Sequence, residues 1–142
     1  MVKLSFMVLV VAVSRVAADE TLIDNGDAVL DAIPGLTAVV VKPTLAGGVV
    51  TATRIVEAAR HRGVMCILSS SLESGVGIRC LAGLAAGIVQ NDVSHGLDTL
   101  SWFAADAVDP PIEVVEGTIR LPDIEKAAMM PRDHVLQELT HG

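Results

Sequence analysis

Short β-branched and aliphatic runs alternate along the chain with longer stretches whose apolar residues recur every three or four positions. That alternation predicts βα units around a parallel sheet. Residues 16–19 read as the end of a strand. Asp24 or Asn25 can cap a helix that carries Val29, Leu30 and Ile33 on one face, and Pro34 and Gly35 stop it. Residues 38–42, AVVVK, predict a strand buried on both faces that ends in one charge, Lys42, before Pro43. Gly47 and Gly48 turn the chain into a helix over 49–62, with Ala52, Ile55, Val56 and Ala59 on its apolar stripe and Gly63 closing it. The next strand, 64–68, runs into Ser69, Ser70 and Ser71. Gly75 and Gly77 then open a helix reaching about Gln90, with Ile78, Leu81, Ala85 and Ile88 on one face.

Beyond that helix the pattern changes. His95, Gly96, Leu97 and Asp98 mark a short final strand or loop, 102–108 reads as a brief helix, and Pro110 and Pro111 end the segment. Residues 112–115 and 118–121 flank Glu116-Gly117, a two-residue hairpin signal, and a polar helix is expected over 131–139. The fold class is therefore α/β, with a tail that is not another βα unit.

Composition narrows the function classes. Of 142 residues, 51% are apolar, enough for one core, but aromatic residues are confined to Phe6, Trp102 and Phe103. A net charge of −7 with only 10 Lys and Arg argues against a nucleic-acid partner. Cys66 and Cys80 lie in apolar stretches at a spacing that suits neither zinc nor a redox pair, so both are expected to be buried, reduced thiols of a cytosolic protein. Lys3, the apolar run 4–13 and the small residues Ala17 and Ala18 imitate a secretory signal. The run is about half the roughly 20 residues that a membrane span requires, so no membrane association is expected.

In a parallel α/β barrel the chemistry sits at the carboxyl ends of the strands. Four polar groups fall there: Asp19-Glu20, Lys42, the serines 69–71 with Glu73, and Asp98. Each also has an ordinary reading, because an acid after a strand commonly caps the next helix and a lysine can lay its stem along apolar surface. His61, His95, His134 and His141 are expected at the surface.

Four blocks carry a resemblance. Ala18-Asp19-Glu20-Thr21-Leu22 and Val41-Lys42-Pro43-Thr44-Leu45-Ala46-Gly47-Gly48 look like the fifth and sixth strand ends of o-succinylbenzoate synthases, enolase-superfamily enzymes of menaquinone biosynthesis. Ser69-Ser70-Ser71-Leu72-Glu73-Ser74-Gly75-Val76-Gly77 resembles that family's seventh strand end, and Gly96-Leu97-Asp98-Thr99-Leu100 its eighth. Order and spacing agree over about 16–122. Dipeptide epimerase or N-acylamino acid racemase chemistry stays open, since the superfamily shares its barrel.

The resemblance implies the C-terminal part of a (β/α)8 barrel, about four βα units, followed by a hairpin and helix. It divides the chain into an apolar segment 1–15 of uncertain origin, a partial barrel 16–109 and a tail 110–142. It implies dehydration of a small carboxylate, 2-succinyl-6-hydroxy-2,4-cyclohexadiene-1-carboxylate, to o-succinylbenzoate with Mg²⁺ as cofactor. By the same resemblance Asp19 matches a metal ligand and Lys42 a lysine that stabilises the anionic intermediate. Ser69, Ser70 and the backbone at Gly96 match substrate contacts, with Asp98 and Glu73 as supporting residues. The family's acid/base lysine pair, two further metal carboxylates and its capping domain lie upstream of the matched blocks. The chain alone is therefore expected to be inactive, and open barrel edges are expected to recruit a missing N-terminal part or a second copy. Cleavage after Ala18 would remove the strand that presents Asp19, which favours a cytoplasmic location over secretion. A noncatalytic secreted or binding domain is the alternative from another class.

Overall fold

The computed structural model describes residues 2–3, 16–19, 30–88, 93–120 and 130–131. Three strands, β2 (Val16–Asp19), β3 (Leu36–Val41) and β4 (Met65–Leu68), form a parallel sheet in the order β2-β3-β4. Ala17, Ala18 and Asp19 stand beside Ala38, Val39 and Val40, and Ala38 to Val41 stand beside Met65 to Leu68. Parallel neighbours require crossovers: α1 (Val49–His61) supplies the one from β3 to β4, and α2 (Gly75–Ile88) follows β4.

The periodicity explains why the layers adhere. Ala52, Ile55, Val56 and Ala59 are the buried residues of α1, and Ile78, Leu81, Ala82 and Ala85 lead those of α2. They close over Val39, Val41, Cys66 and Leu68 from the sheet in one cluster. Gly35 and Gly63 adopt φ of +75° and +69°, left-handed conformations that end the preceding helices cheaply. The guanidinium of Arg62, just past α1, grips Asp31 through two bonds of 2.7 and 3.0 Å and holds that carboxyl below the usual range. Residues 30–32 are helical, and the rest of the helix read over 24–33 lies outside the described residues.

Several expectations need correction. The helix read over 102–108 is replaced by a 3-10 turn, Leu100–Trp102, and a short strand β5, Val108–Asp109. Asp106 Oδ1 accepts the Ala107 N–H at 2.7 Å, taking it away from any helical carbonyl, and Asp109 precedes proline, which disfavours helix there. Pro131 is not helical: β7 (Met130–Pro131) pairs antiparallel with β5, while 132–139 lie outside the described residues. Cys80 is exposed, on the side of α2 away from its buried stripe, whereas Cys66 is buried as expected and burial pushes its thiol up to about 11.

The turn at Glu116-Gly117 forms, with φ of 50° and 68° and mutual Val115–Thr118 backbone bonds of 3.0 and 2.9 Å. Positive φ at both central positions matches the twist of a two-residue hairpin. Beyond it, β6 (Thr118–Ile119) pairs antiparallel with β1 (Val2–Lys3). No described helix is long and apolar enough to cross a membrane.

Leu68 is 0% exposed at the carboxyl end of β4, where helices and sheet meet. Leu68→Ala is expected to lower unfolding free energy by about 2–5 kcal/mol in a urea titration. Val50→Ala, at a position 66% exposed, should change it by less than about 0.5 kcal/mol.

Candidate active site at the carboxyl ends of the strands

The sheet does not stop at β4. Ser69 bridges Gly96 in parallel, the Gly96 N–H donates to the Leu68 carbonyl at 2.9 Å, and the Ser70 N–H donates to the Gly96 carbonyl at 2.9 Å. On the other side, the Ser69 N–H donates to the Val41 carbonyl at 3.0 Å. Because Val41 stands beside Leu68, the next residues, Lys42 and Ser69, share a level, and Ser69 shares it with Gly96. Asp19 stands beside Val40, two residues below Lys42 on the neighbouring strand. The parallel register thus brings the backbone positions of Asp19, Lys42, Ser69, Ser70 and Gly96 to one end of one sheet.

Local chemistry fixes each position. The Lys42 carbonyl accepts the N–H groups of Leu45 and Ala46 at 3.0 and 2.9 Å, and Gly48 N–H donates to Pro43 at 2.8 Å. This compact turn needs φ of 92° and 103° at Gly47 and Gly48, so glycine is required there. Ser70, 6% exposed, has its Oγ 3.0 Å from the Gly96 carbonyl and 2.9 Å from Thr99 Oγ1. At Gly96 a Cβ would stand 3.0 Å from Ser69 Oγ, so a side chain there would press on the serine. Thr99 was not singled out from sequence; its position within the last strand-end block was the available signal.

The two supporting residues part ways. Glu73 is held by Thr44 and Ser71 in the loops after β3 and β4. Asp98 lines a cavity of about 640 Å³ with Asp106, Phe103 and Ile112, whose lining does not include Lys42, Ser69 or Ser70.

His95 corrects the surface expectation: it is 4% exposed, and its Nδ1 accepts the Leu68 N–H at 3.2 Å. The final strand begins only at residue 95, so the imidazole ends the ladder in place of a backbone carbonyl. Accepting at Nδ1 assigns the proton of the neutral ring to Nε2. Desolvation lowers its pKa below the ordinary 6.5. His61 is exposed as expected, and His134 and His141 lie outside the described residues.

A magnesium ion asks for near-octahedral oxygen ligation. Among the described residues, no three His, Cys, Asp or Glu side chains gather to hold a metal. Asp19 is one carboxylate, so the described residues do not fit a magnesium site by themselves.

The o-succinylbenzoate synthase of Vibrio cholerae is 39% identical over 98 residues, covering 67% of this chain and 29% of that enzyme. Over that stretch the chain belongs with the o-succinylbenzoate synthases. It therefore spans about 29% of the length of the curated relatives it matches. The crystal structure of MenC from Desulfotalea psychrophila matches at 34% identity with a TM-score of 0.57, over 63% of this chain and 26% of that one. The L-Ala-D/L-Glu epimerase from Bacillus subtilis matches at 25% identity and a TM-score of 0.64, over 81% of this chain and 30% of its own. These neighbours establish the α/β fold of the enolase superfamily. No protein-family model matches the chain.

In this synthase-related segment, the lowered pKa of His95 means the fold favours the neutral ring. Its contribution is present above the unfolded value and is lost as pH falls through the folded value. Urea midpoints should drop more between about pH 7.5 and about pH 5.5 in the wild type than in His95→Asn, whose amide oxygen accepts throughout that range. Equal drops would contradict the assignment.

Proposed function

We propose that this chain carries the fifth to eighth strand ends of an o-succinylbenzoate synthase barrel, over 16–109, with 110–142 as a tail. The observation that carries the reading is the shared level of Lys42, Ser69 and Gly96, one ladder step from Ser70. In the proposed dehydration, an acid/base group outside the matched blocks removes the proton beside the substrate carboxylate and delivers a proton to the ring hydroxyl, which departs as water. Charge develops on the carboxylate as the proton leaves. A fixed ammonium near it lowers the barrier because a preorganised charge needs no reorientation during reaction. Lys42 is assigned that role, while Ser69, Ser70 and the backbone at Gly96 orient the substrate's carboxylate groups. Asp19 is assigned as one oxygen ligand of Mg²⁺ whose other ligands lie beyond the matched blocks.

The acid/base lysines belong to strands that the matched blocks do not include. The 142-residue chain alone is therefore proposed to be inactive. Among the described residues β2 is paired only with β3, which leaves an edge for the remaining strands or for a second copy. With the remainder of a synthase barrel supplied, the chain should restore dehydration of 2-succinyl-6-hydroxy-2,4-cyclohexadiene-1-carboxylate. Lys42→Ala should then lower kcat/KM by about a hundred- to a thousandfold, the scale of losing one preorganised group at the reacting centre. Retained turnover would refute the role given to Lys42.

The likeness to the Bacillus subtilis epimerase supports a second reading, in which the same barrel epimerises a dipeptide. Turnover of L-Ala-L-Glu without dehydration by the same complemented barrel would select it.

A cytoplasmic location is proposed because Val16, Ala17 and Ala18 are integral to β2. Cleavage after Ala18 would strip β3 of most of this partner. Mass spectrometry of the native protein should find residues 16–18 retained; a mature chain starting at Asp19 would contradict this and favour a secreted binding domain.

A further inference from the structure

An acidic residue shortly before a helix ordinarily serves that helix's amino terminus. Glu73 stands two residues before α2, yet it does not take that place. The first N–H of α2, at Gly75, is taken by Asp106 Oδ1 at 2.8 Å. A Cβ at Gly75 would come within 2.2 Å of Asp106 Oδ2, so this contact is built into the helix start. Glu73 is left for another task.

Its two oxygens join two loops. Thr44 Oγ1, two residues after Lys42, donates to Glu73 Oε1, and the Ser71 N–H, one residue after Ser70, donates to Glu73 Oε2. Two departures from ordinary local preference accommodate this bridge. Leu72 adopts φ of 66°, a left-handed conformation that a non-glycine residue seldom takes. Position 77 is glycine, where a Cβ would lie 2.5 Å from Glu73 Cβ and 2.9 Å from its Cγ. A strained backbone and a bare helix position both serve to fold one carboxylate back between the loops.

We propose that Glu73 is a positioning residue that locks the Lys42 turn to the Ser69-Ser70 strand end, fixing the spacing between the cation and the substrate-orienting hydroxyls. This rests on the synthase reading for its catalytic consequence, but the bridge itself can be tested without turnover. The bridge requires two hydrogen-bonding partners, not a charge. Glutamine satisfies both, its carbonyl accepting from Ser71 and its amide donating to the Thr44 hydroxyl.

Amide hydrogen exchange by NMR on the full chain reads the bridge directly. Glu73→Ala should accelerate exchange of Ser71 N–H by at least about tenfold and loosen the Leu45, Ala46 and Gly48 amides, while Glu73→Gln stays within about threefold of wild type. Thr44→Val should loosen the turn amides and leave Ser71 protected, which keeps the test open should the alanine variant fail to fold. Unchanged Ser71 exchange in Glu73→Ala, or equal loss in Glu73→Gln, overturns the proposal. In the complemented barrel, Glu73→Ala should lower kcat/KM about tenfold and Glu73→Gln should restore it. Normal kcat/KM in Glu73→Ala overturns the catalytic link even where exchange follows expectation. An inactive wild-type barrel would instead count against the synthase reading, and the exchange result would stand on its own.

Discussion

The arrangement depends on a parallel ladder that continues past its last regular strand. Were β4 to end without the Ser69–Gly96 bridge, Ser70 would belong to a free loop and the final segment would have no register. Instead, the backbone bonds from Ser70 to Gly96 and from Gly96 to Leu68 set Gly96 level with Ser69, while the β2-β3-β4 register sets the heights of Asp19 and Lys42. Parallel pairing is indifferent to side chains, so residues far apart in sequence reach one level because the strands begin at the right places. The apolar stripes of α1 and α2 hold those starting points by packing on Val39, Val41 and Leu68.

The loops then refine what the ladder provides. The Lys42 turn is closed by its own carbonyl and two left-handed glycines. Gly96 lets its strand approach Ser69, and His95 finishes the ladder where no backbone carbonyl is in register. These devices sit away from the strand centres, where apolar burial alone would leave the chain several conformations. Among the described residues β2 pairs only with β3, so the sheet that carries these positions keeps an open edge.

Much of this was legible in the sequence, and the reason is local. The stripe Ala52, Ile55, Val56, Ala59 reports its helix because the same spacing that makes a face also buries it. Lys42 and the serines stood out because a polar residue ending an apolar run marks a strand end whatever the fold. Most of the misses were long-range. His95 was read as a surface residue because nothing adjacent says that an imidazole will meet Leu68, 27 positions away. The 102–108 segment failed because Asp106 bonds its neighbour and a helix start 31 positions away, which period counting cannot register. Glu73 and Thr44, 29 positions apart, likewise meet only once the strands are in register. Cys80 differs for a local reason: it lies in an apolar stretch but on the outer face of its helix.

The central proposal is that Lys42, Ser69, Ser70 and Gly96 form one carboxylate-recognising edge. The most direct test is an NMR titration of the chain with o-succinylbenzoate up to about millimolar concentration, a range that reads weak binding. The account predicts that the amide resonances of Lys42, Ser69, Ser70 and Gly96 shift together along one binding curve. A folded chain whose shifts lie elsewhere, or that shows none, would contradict it.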